Sequence, residues 1–380
     1  MRLLMAVGAS AGIVLWSPFV GQVRAALSAV FPQRLSLVVN LAVALLVGLA
    51  AGLGMLRMRE RRAFRVGLLA AALVLAAAYA VAAGTGNAEV DAVERFHFVE
   101  YGLVTWLFFR AFRSRGDISM LVLPVCAAWL VGIADEWMQW FVPARVGELR
   151  DVWLNGVAIA CGLVASVGIH PPTRPPVGLR PGSAARIGFC VALTVIGLAV
   201  FAQSVHMGYR IDDPVAGAFE SRYTREGLLR LSAERAARWA GRSPLPEAAV
   251  SREDQYLAEG LWHIRARNVA WDAGDVTTAW QENLILERYY APLLDVTGGG
   301  FRWPAAQRAD AASRARRGSR YESAAPPMPM VTWPRPMFWA FVVAVTGAVA
   351  AASLRAGGRR LQPSPVGPPG ESPSTDETSD

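Results

Sequence analysis

Long apolar blocks constrain this chain more than any other feature. Seven stretches contain no Asp, Glu or Arg, and they cover residues 3–23, 35–56, 66–88, 118–134, 152–169, 187–205 and 336–354. A helix needs about 20 apolar residues to cross the hydrocarbon core of a bilayer, and all but one of these stretches hold 18 or more. Because the chain is also 53% hydrophobic and only 18% charged, the blocks predict a polytopic membrane protein.

An eighth block, residues 96–109, is apolar except for His97 and Glu100. Counting it as the fourth crossing predicts an all-α fold. This fold is a polytopic transmembrane helix bundle of about eight spans, with a mainly helical extracytoplasmic domain between spans seven and eight. The first block could instead be a cleaved signal peptide, but its length, Trp16 and Pro18 favour a retained span.

The basic residues are distributed unevenly along the chain. All 38 are arginines, and alternate short segments are arginine-rich, with 15 on one predicted side against five on the other. The remaining 18 lie in residues 207–335, where 16 acids balance them. This is the positive-inside pattern of a membrane protein, and it argues against nucleic acid as a partner. It predicts a multi-pass protein of the cell (inner or plasma) membrane, with both termini cytoplasmic and residues 207–335 extracytoplasmic.

These patterns divide the chain into six segments. They are N-terminal transmembrane helices (1–88), a transmembrane core (89–170), a cytoplasmic loop with the seventh span (171–206), the extracytoplasmic helical domain (207–335), a C-terminal transmembrane helix (336–356) and a disordered cytoplasmic tail (357–380). The segment 207–335 is called the inserted domain below. Cys126, Cys161 and Cys190 all fall inside predicted spans, so no disulfide framework is expected.

Polar residues concentrate at one depth of the fourth, fifth and sixth predicted spans and in the loop between the last two. This set, called the polar cluster below, comprises His97, Glu100, Tyr101, Asp135, Glu136, Gln139, Arg145, Asp151 and Asn155. Helical spacing places the first three on one face. Seventeen residues separate Asp135 from the cytoplasmic end of its span, which is about 26 Å and close to the outer limit of the hydrocarbon core.

Three interpretations of the polar cluster remain open. Charges near span ends can be interface anchors, which we favour for Glu94, Arg95, Glu148 and Arg150. The cluster can also be a structural network in which Arg145 pairs with Glu136 or Asp151. Ionisable groups inside spans often face a wet cavity, so the third interpretation is a ligand site.

The ordered polar residues resemble a known family. His97, Glu100 and Tyr101 are followed by Asp135-Glu136-x-x-Gln139, Pro143-x-Arg145 and Asp151-x-x-x-Asn155-Gly156, with Gly162 behind them. This order, over about residues 88–169, resembles the VanZ-like family of bacterial integral membrane proteins. The family is named for a protein linked to antibiotic resistance, to teicoplanin in particular, and the resemblance implies an envelope-associated membrane protein. The spans outside the motif and the inserted domain depart from a compact family member.

Several functions fit the cluster. In the leading hypothesis it recognises an amphiphilic envelope ligand, either a lipid-linked precursor or a lipophilic glycopeptide antibiotic, and Arg145 holds a phosphate or carboxylate. The alternative is a membrane-embedded enzyme acting on a lipid-linked phosphate or acyl substrate, with Glu100 or Glu136 as general acid or base and His97 as its partner. Transport has less support because the polar residues form one layer. We expect no cofactor and no metal site, and we assign no catalytic residue.

The inserted domain reads as three amphipathic helices. They follow Thr224, the capping segment 251–254 and Asp275, and residues 304–336 read as an extended, basic return to the membrane. Glu259, His263 and Glu282 suggest a catalytic or metal site, but such charges are common on the solvated face of a helical domain. We therefore predict no chemistry there.

Overall fold

The fold was analysed in a computed structural model. It describes residues 1–142, 147–172, 176, 178–240, 254–296, 300–316 and 321–358. The polar-cluster residue Arg145 and most of the tail predicted at 357–380 lie outside these ranges. The same holds for residues 251–253 of the predicted capping segment.

A bundle of long helices occupies the first half of the chain. The helices are α1 (Arg2–Trp16), α2 (Val20–Val30), α3 (Leu35–Leu56), α4 (Arg62–Ala82), α5 (Ala88–Phe112), α6 (Ser119–Trp140), α7 (Leu149–Ile169) and α8 (Pro181–Val205). A 3-10 turn at Ser17–Phe19, with Pro18 inside it, separates α1 from α2. Proline lacks the backbone N–H that an α-helix would use for its hydrogen bonds, so the helix is interrupted at Pro18.

The inserted domain follows α8, and a final long helix follows the domain. The domain contains β1 (Tyr209–Asp213), β2 (Gly217–Ser221), α9 (Arg225–Arg238), α10 (Gln255–Asp272), α11 (Val276–Tyr289), α12 (Ala291–Leu294) and α13 (Ala305–Arg314), and the chain then continues into α14 (Arg335–Gly358). The chain is therefore mostly helical, as predicted, and within its described residues seven helical segments are long and apolar enough to cross a membrane. These are α1 with α2 as one segment, α3, α4, α6, α7, α8 and α14. The predicted fourth span, residues 96–109, lies within α5. This helix is not among the seven segments, because the first half of α5 carries several charged residues.

The turns of the bundle fall at two opposite ends. At one end, Arg65 at the start of α4 donates to the carbonyls of Gly168 (2.8 Å) and Ile169 (2.6 Å) at the end of α7. At the same end, the turn before α6 is tied to the segment before α8, because the backbone N–H of Arg180 donates to Asp117. The arginine-rich turns therefore share one end, and the inserted domain lies at the other.

Helices α9, α10 and α11 begin directly after Thr224, Asp254 and Asp275, as predicted. Each side chain accepts a hydrogen bond from a backbone N–H in the first turn of α9, α10 or α11. These bonds satisfy amide groups that have no partner inside the helix.

Two features of the domain were not predicted. The first is the antiparallel hairpin of β1 and β2, in which Tyr209 pairs with Ser221 and Asp213 with Gly217. Gly217 has φ 89°, a value suited to glycine. The second is α13, which lies inside the stretch predicted to be extended. Its Ala-rich sequence forms a helix beside α11, where Ala311 is buried with Ala279.

The expectation that Glu259, His263 and Glu282 face solvent was wrong. All three are about 1% exposed or less. His263 Nδ1 lies 2.6 Å from Glu282, which also accepts hydrogen bonds from Tyr321 and Ser323. Burial opposes ionisation of Glu282, but His263 and these donors outweigh it and hold the pKa of the carboxyl below its usual range. The group is a buried polar core of the domain.

The inserted domain docks directly on the bundle. Trp262 and Met328 pack in one apolar cluster with residues of α6, α7 and α8. His206, completely buried after α8, accepts a hydrogen bond from the N–H of Leu149 at 3.0 Å, and its other ring nitrogen lies 3.0 Å from the carbonyl oxygen of Pro329. One imidazole thus joins the start of α7, the end of α8 and the returning segment of the domain.

Candidate functional site

Helices α5 and α6 bring the centre of the polar cluster together. The Tyr101 hydroxyl donates to Asp135 Oδ2 at 3.0 Å, and Gln139 Nε2 lies 3.4 Å from the same oxygen. Tyr101 is fully buried, while Asp135 and Gln139 are each 3% exposed. Hydrogen bonding of this kind is what makes a buried carboxyl tolerable in an apolar interior.

His97 and Glu100 extend this group toward open space. The His97 ring stacks on Tyr101, with centroids 5.8 Å apart and planes inclined by 8°. Both His97 and Glu100 are half-buried and line a cavity of about 290 Å³ together with Asp135 and Gln139. Four of the predicted residues therefore share one cavity wall.

The opposite wall of this cavity comes from α1, α2 and α3, which the sequence did not implicate. Its apolar members include Ile13, Trp16, Val20, Val23, Leu27, Leu35, Val38, Val39 and Ala42, and its polar members are Ser17 and Arg24. The break at Ser17–Phe19 lies on this wall. In the sequence, only Pro18 and the isolated Arg24 could have indicated that this region forms a wall of the cavity.

Glu136 has a different role from its neighbour Asp135. It is fully buried and does not line the cavity, and its two carboxylate oxygens accept hydrogen bonds from Gln139 (3.0 Å) and from the N–H of Glu148 (3.2 Å). A Cβ on Gly147 would lie 2.3 Å from the Glu136 carbonyl oxygen, so only glycine fits there. Glu136 therefore links the residues just before α7 to α6.

Asn155 completes the cluster from α7. It is fully buried, and neither its amide nitrogen nor its oxygen has a hydrogen-bond partner among the residues that the structure describes. A Cβ added to Gly132 would lie 3.2 Å from Asn155 Nδ2 and 3.4 Å from Tyr101 Cε1. Gly132 on α6 thus makes room for both side chains.

Asp151, another predicted residue, does not line this cavity. Asp151 is half-buried on α7, with Oδ1 3.6 Å from Arg150 NH1. The predicted pairing of Arg145 with Glu136 or Asp151 falls outside the described residues. Arg150 forms a bidentate pair with Glu94 at 2.6 and 2.9 Å, which fits their interpretation as anchors at the bundle end.

Close helix packing holds this arrangement in place. A Cβ on Gly162 of α7 would lie 2.8 Å from the Cα of Gly102, the residue after Tyr101 on α5. Small residues that let two backbones approach in this way are typical of membrane helix interfaces.

The described side chains of this site supply hydrogen-bond donors and acceptors together with carboxyl groups. Among the described residues, no three His, Cys, Asp or Glu side chains are grouped so that they could hold a metal ion. Comparisons with protein-family models, with curated proteins and with solved structures found no match.

Proposed function

We propose that this chain is a VanZ-like membrane protein whose cavity recognises an amphiphilic ligand of the cell envelope. The observation that carries the proposal is the cavity itself, in which polar side chains of α5 and α6 face apolar side chains of α2 and α3. Ligand sites typically combine a mainly apolar lining with a few polar groups that fix orientation. A lipid-linked precursor or a lipophilic glycopeptide has the matching division into a polar head and an apolar chain.

In this proposal α5 also crosses the membrane, as the fourth span in chain order, which brings the number of spans to eight. Its second half is mostly apolar, and Val104, Phe108 and Phe109 in this half are buried. Eight crossings put the arginine-rich turns on one side of the membrane and the inserted domain on the other. The positive-inside rule then makes the side of the inserted domain extracytoplasmic and puts the cavity near the outer leaflet.

The depth of the polar residues supports this placement. Glu100 follows the anchor residue Glu94 by six positions on α5, which is about 9 Å along a helix. Asp135 precedes the end of α6 at Trp140 by five positions, about 7.5 Å. Both carboxyls thus lie at similar depth just inside one end of the bundle, where a ligand in the leaflet can reach them.

The proposal can be tested by filling the cavity. Ala42 lines it from α3, so Ala42→Trp should occupy part of its volume. Ala44 is exposed on another face of the same helix, and Ala44→Trp is the matched control. The full chain would be placed in nanodiscs that contain a phospholipid with a photoreactive acyl chain, and the crosslinked peptides would be identified by mass spectrometry.

We expect wild type and Ala44→Trp to crosslink at the cavity-lining segments of α2, α3 and α5. Ala42→Trp should lose these crosslinks and keep those on the lipid-facing surface. Equal labelling of the cavity segments in all three proteins would show that the lipid does not enter the cavity, and the proposal would then fail.

A further inference from the structure

Among the described residues, three charged side chains line the cavity, and they differ in whether they have a hydrogen-bond or ion-pair partner. Arg24 lies 3.5 Å from Glu89, and Asp135 is hydrogen-bonded to Tyr101. Glu100 forms no hydrogen bond or ion pair with any residue in the described part of the chain. It is half-buried at the polar wall, and its carboxyl is the charged group that remains available to a ligand.

A carboxylate in this position selects for a cation. Removing a charge from water costs free energy unless a partner compensates it, and an ionisable group inside a membrane bundle usually meets such a partner. A second carboxyl, Asp135, lies on the same wall, so the described side chains beside Glu100 favour a positively charged group over an anion at that position. Arg24, the arginine among the described residues that line the cavity, is already paired with Glu89 near the start of α5.

The shape of the cavity limits what the cation can be attached to. A volume of about 290 Å³ is just below the usual range of ligand sites, which is about 300–1,000 Å³. It can hold a small head group with part of one chain. The apolar side chains Val38, Val39 and Ala42 of α3 provide a surface for that chain.

We infer that Glu100 is a cation subsite that binds the protonated amine of an amphiphile, while the alkyl chain of the amphiphile lies against α2 and α3. The inference rests on the proposed function and specifies the head-group class of the ligand. It differs from the expectation that an arginine grips a phosphate or carboxylate.

The test uses probes that share one chain length and differ in head charge. The full chain in detergent micelles would be titrated with dodecylamine, dodecanol or laurate, and bound adducts would be quantified by native mass spectrometry. Ethanolamine, a soluble amine without the alkyl chain, separates a free amine from an amine-bearing amphiphile. The variant is Glu100→Gln, and the matched control is Glu148→Gln, a half-buried carboxyl outside the cavity.

Dodecylamine should bind wild type and Glu148→Gln at least about tenfold more tightly than it binds Glu100→Gln, because a charge-assisted hydrogen bond is lost. Dodecanol should bind all three proteins equally, and this shared binding also shows that Glu100→Gln is folded with its cavity intact. Glu100→Asp keeps the charge and should retain the preference for dodecylamine over dodecanol.

Other outcomes separate the two claims. If laurate or dodecanol binds wild type as tightly as dodecylamine does, recognition of an amphiphile stands and the amine subsite is wrong. If ethanolamine competes for the site as strongly as dodecylamine does, the alkyl chain adds nothing to binding, and an amphiphilic ligand at Glu100 is refuted. If none of the 12-carbon probes binds, both the subsite and the proposed function fail.

Discussion

The close approach of α5 and α7 makes a sharp prediction for Gly162→Ala. The added Cβ would lie 2.8 Å from Gly102 Cα and 3.2 Å from the Gly102 carbonyl oxygen, whereas ordinary van der Waals contact begins at 3.4 Å. Both opposing atoms belong to a helix backbone, so no side chain can rotate away. The helices must separate by several tenths of an ångström, which breaks contacts along their length.

The reciprocal variant is the control. A Cβ on Gly102 would meet nothing within 4 Å, so Gly102→Ala introduces no clash. Both changes gain about 1 kcal/mol of helix propensity, and this gain cancels when the two are compared. Overpacking costs about 1–3 kcal/mol, so Gly162→Ala should be less stable than Gly102→Ala by about that amount.

The measurement is reversible unfolding of the full chain in mixed micelles with increasing dodecyl sulfate, followed by tryptophan fluorescence. Gly102→Ala should unfold at the wild-type midpoint or above it, and Gly162→Ala below it. If the two variants unfold at the same midpoint, the packing argument for this helix pair is refuted.

Three further predictions concern other parts of the fold. Burial and the nearby Arg222 lower the pKa of His206 below 6.5, although the contact of the ring with Pro329 opposes this shift. The contribution of His206 to the free energy of unfolding should therefore be complete above pH 6.5 and decline as the pH falls below that value. The decline should be smaller in His206→Asn, and an unchanged pH dependence of the unfolding midpoint would count against this role. Glu282→Gln should destabilise the inserted domain by about 3–5 kcal/mol, because it breaks the buried pair of Glu282 with His263. The measurement is thermal unfolding of the full chain, and a wild-type melting temperature would show that the pair is dispensable. In a background without native cysteines, Ser313→Cys should react with an impermeant thiol reagent in intact cells and Ser114→Cys should not, and the reverse pattern would invert the proposed topology.

The contact between α5 and α6 at the centre of the polar cluster follows from simple geometry. His97, Glu100 and Tyr101 share a helical face by spacing, and residue counts along α5 and α6 place Glu100 and Asp135 at one depth. The structure brings Tyr101 and Asp135 into a hydrogen bond, as this reasoning anticipates.

The parts that could not be predicted depend on tertiary packing. The apolar wall of the cavity consists of ordinary leucines and valines, which carry no signal of their own in a membrane helix. The roles of Asp135 and Glu136 diverge because adjacent residues on a helix point about 100° apart, and only the packed structure shows which one faces the cavity. The burial of Glu259 and His263 depends in the same way on partners that are distant in sequence, such as Tyr290 and Glu282.

The packing of α14 has a consequence for biogenesis. This helix packs chiefly along α8, antiparallel to it, with Trp339 bonded to Gln203 at one end and Ser353 against Gly188 at the other. During synthesis α14 emerges only after the whole inserted domain, when the other membrane helices are already made. Because it adds to the outside of α8, its late arrival requires no rearrangement of the helices around the cavity, and the cavity can assemble before α14 is in place.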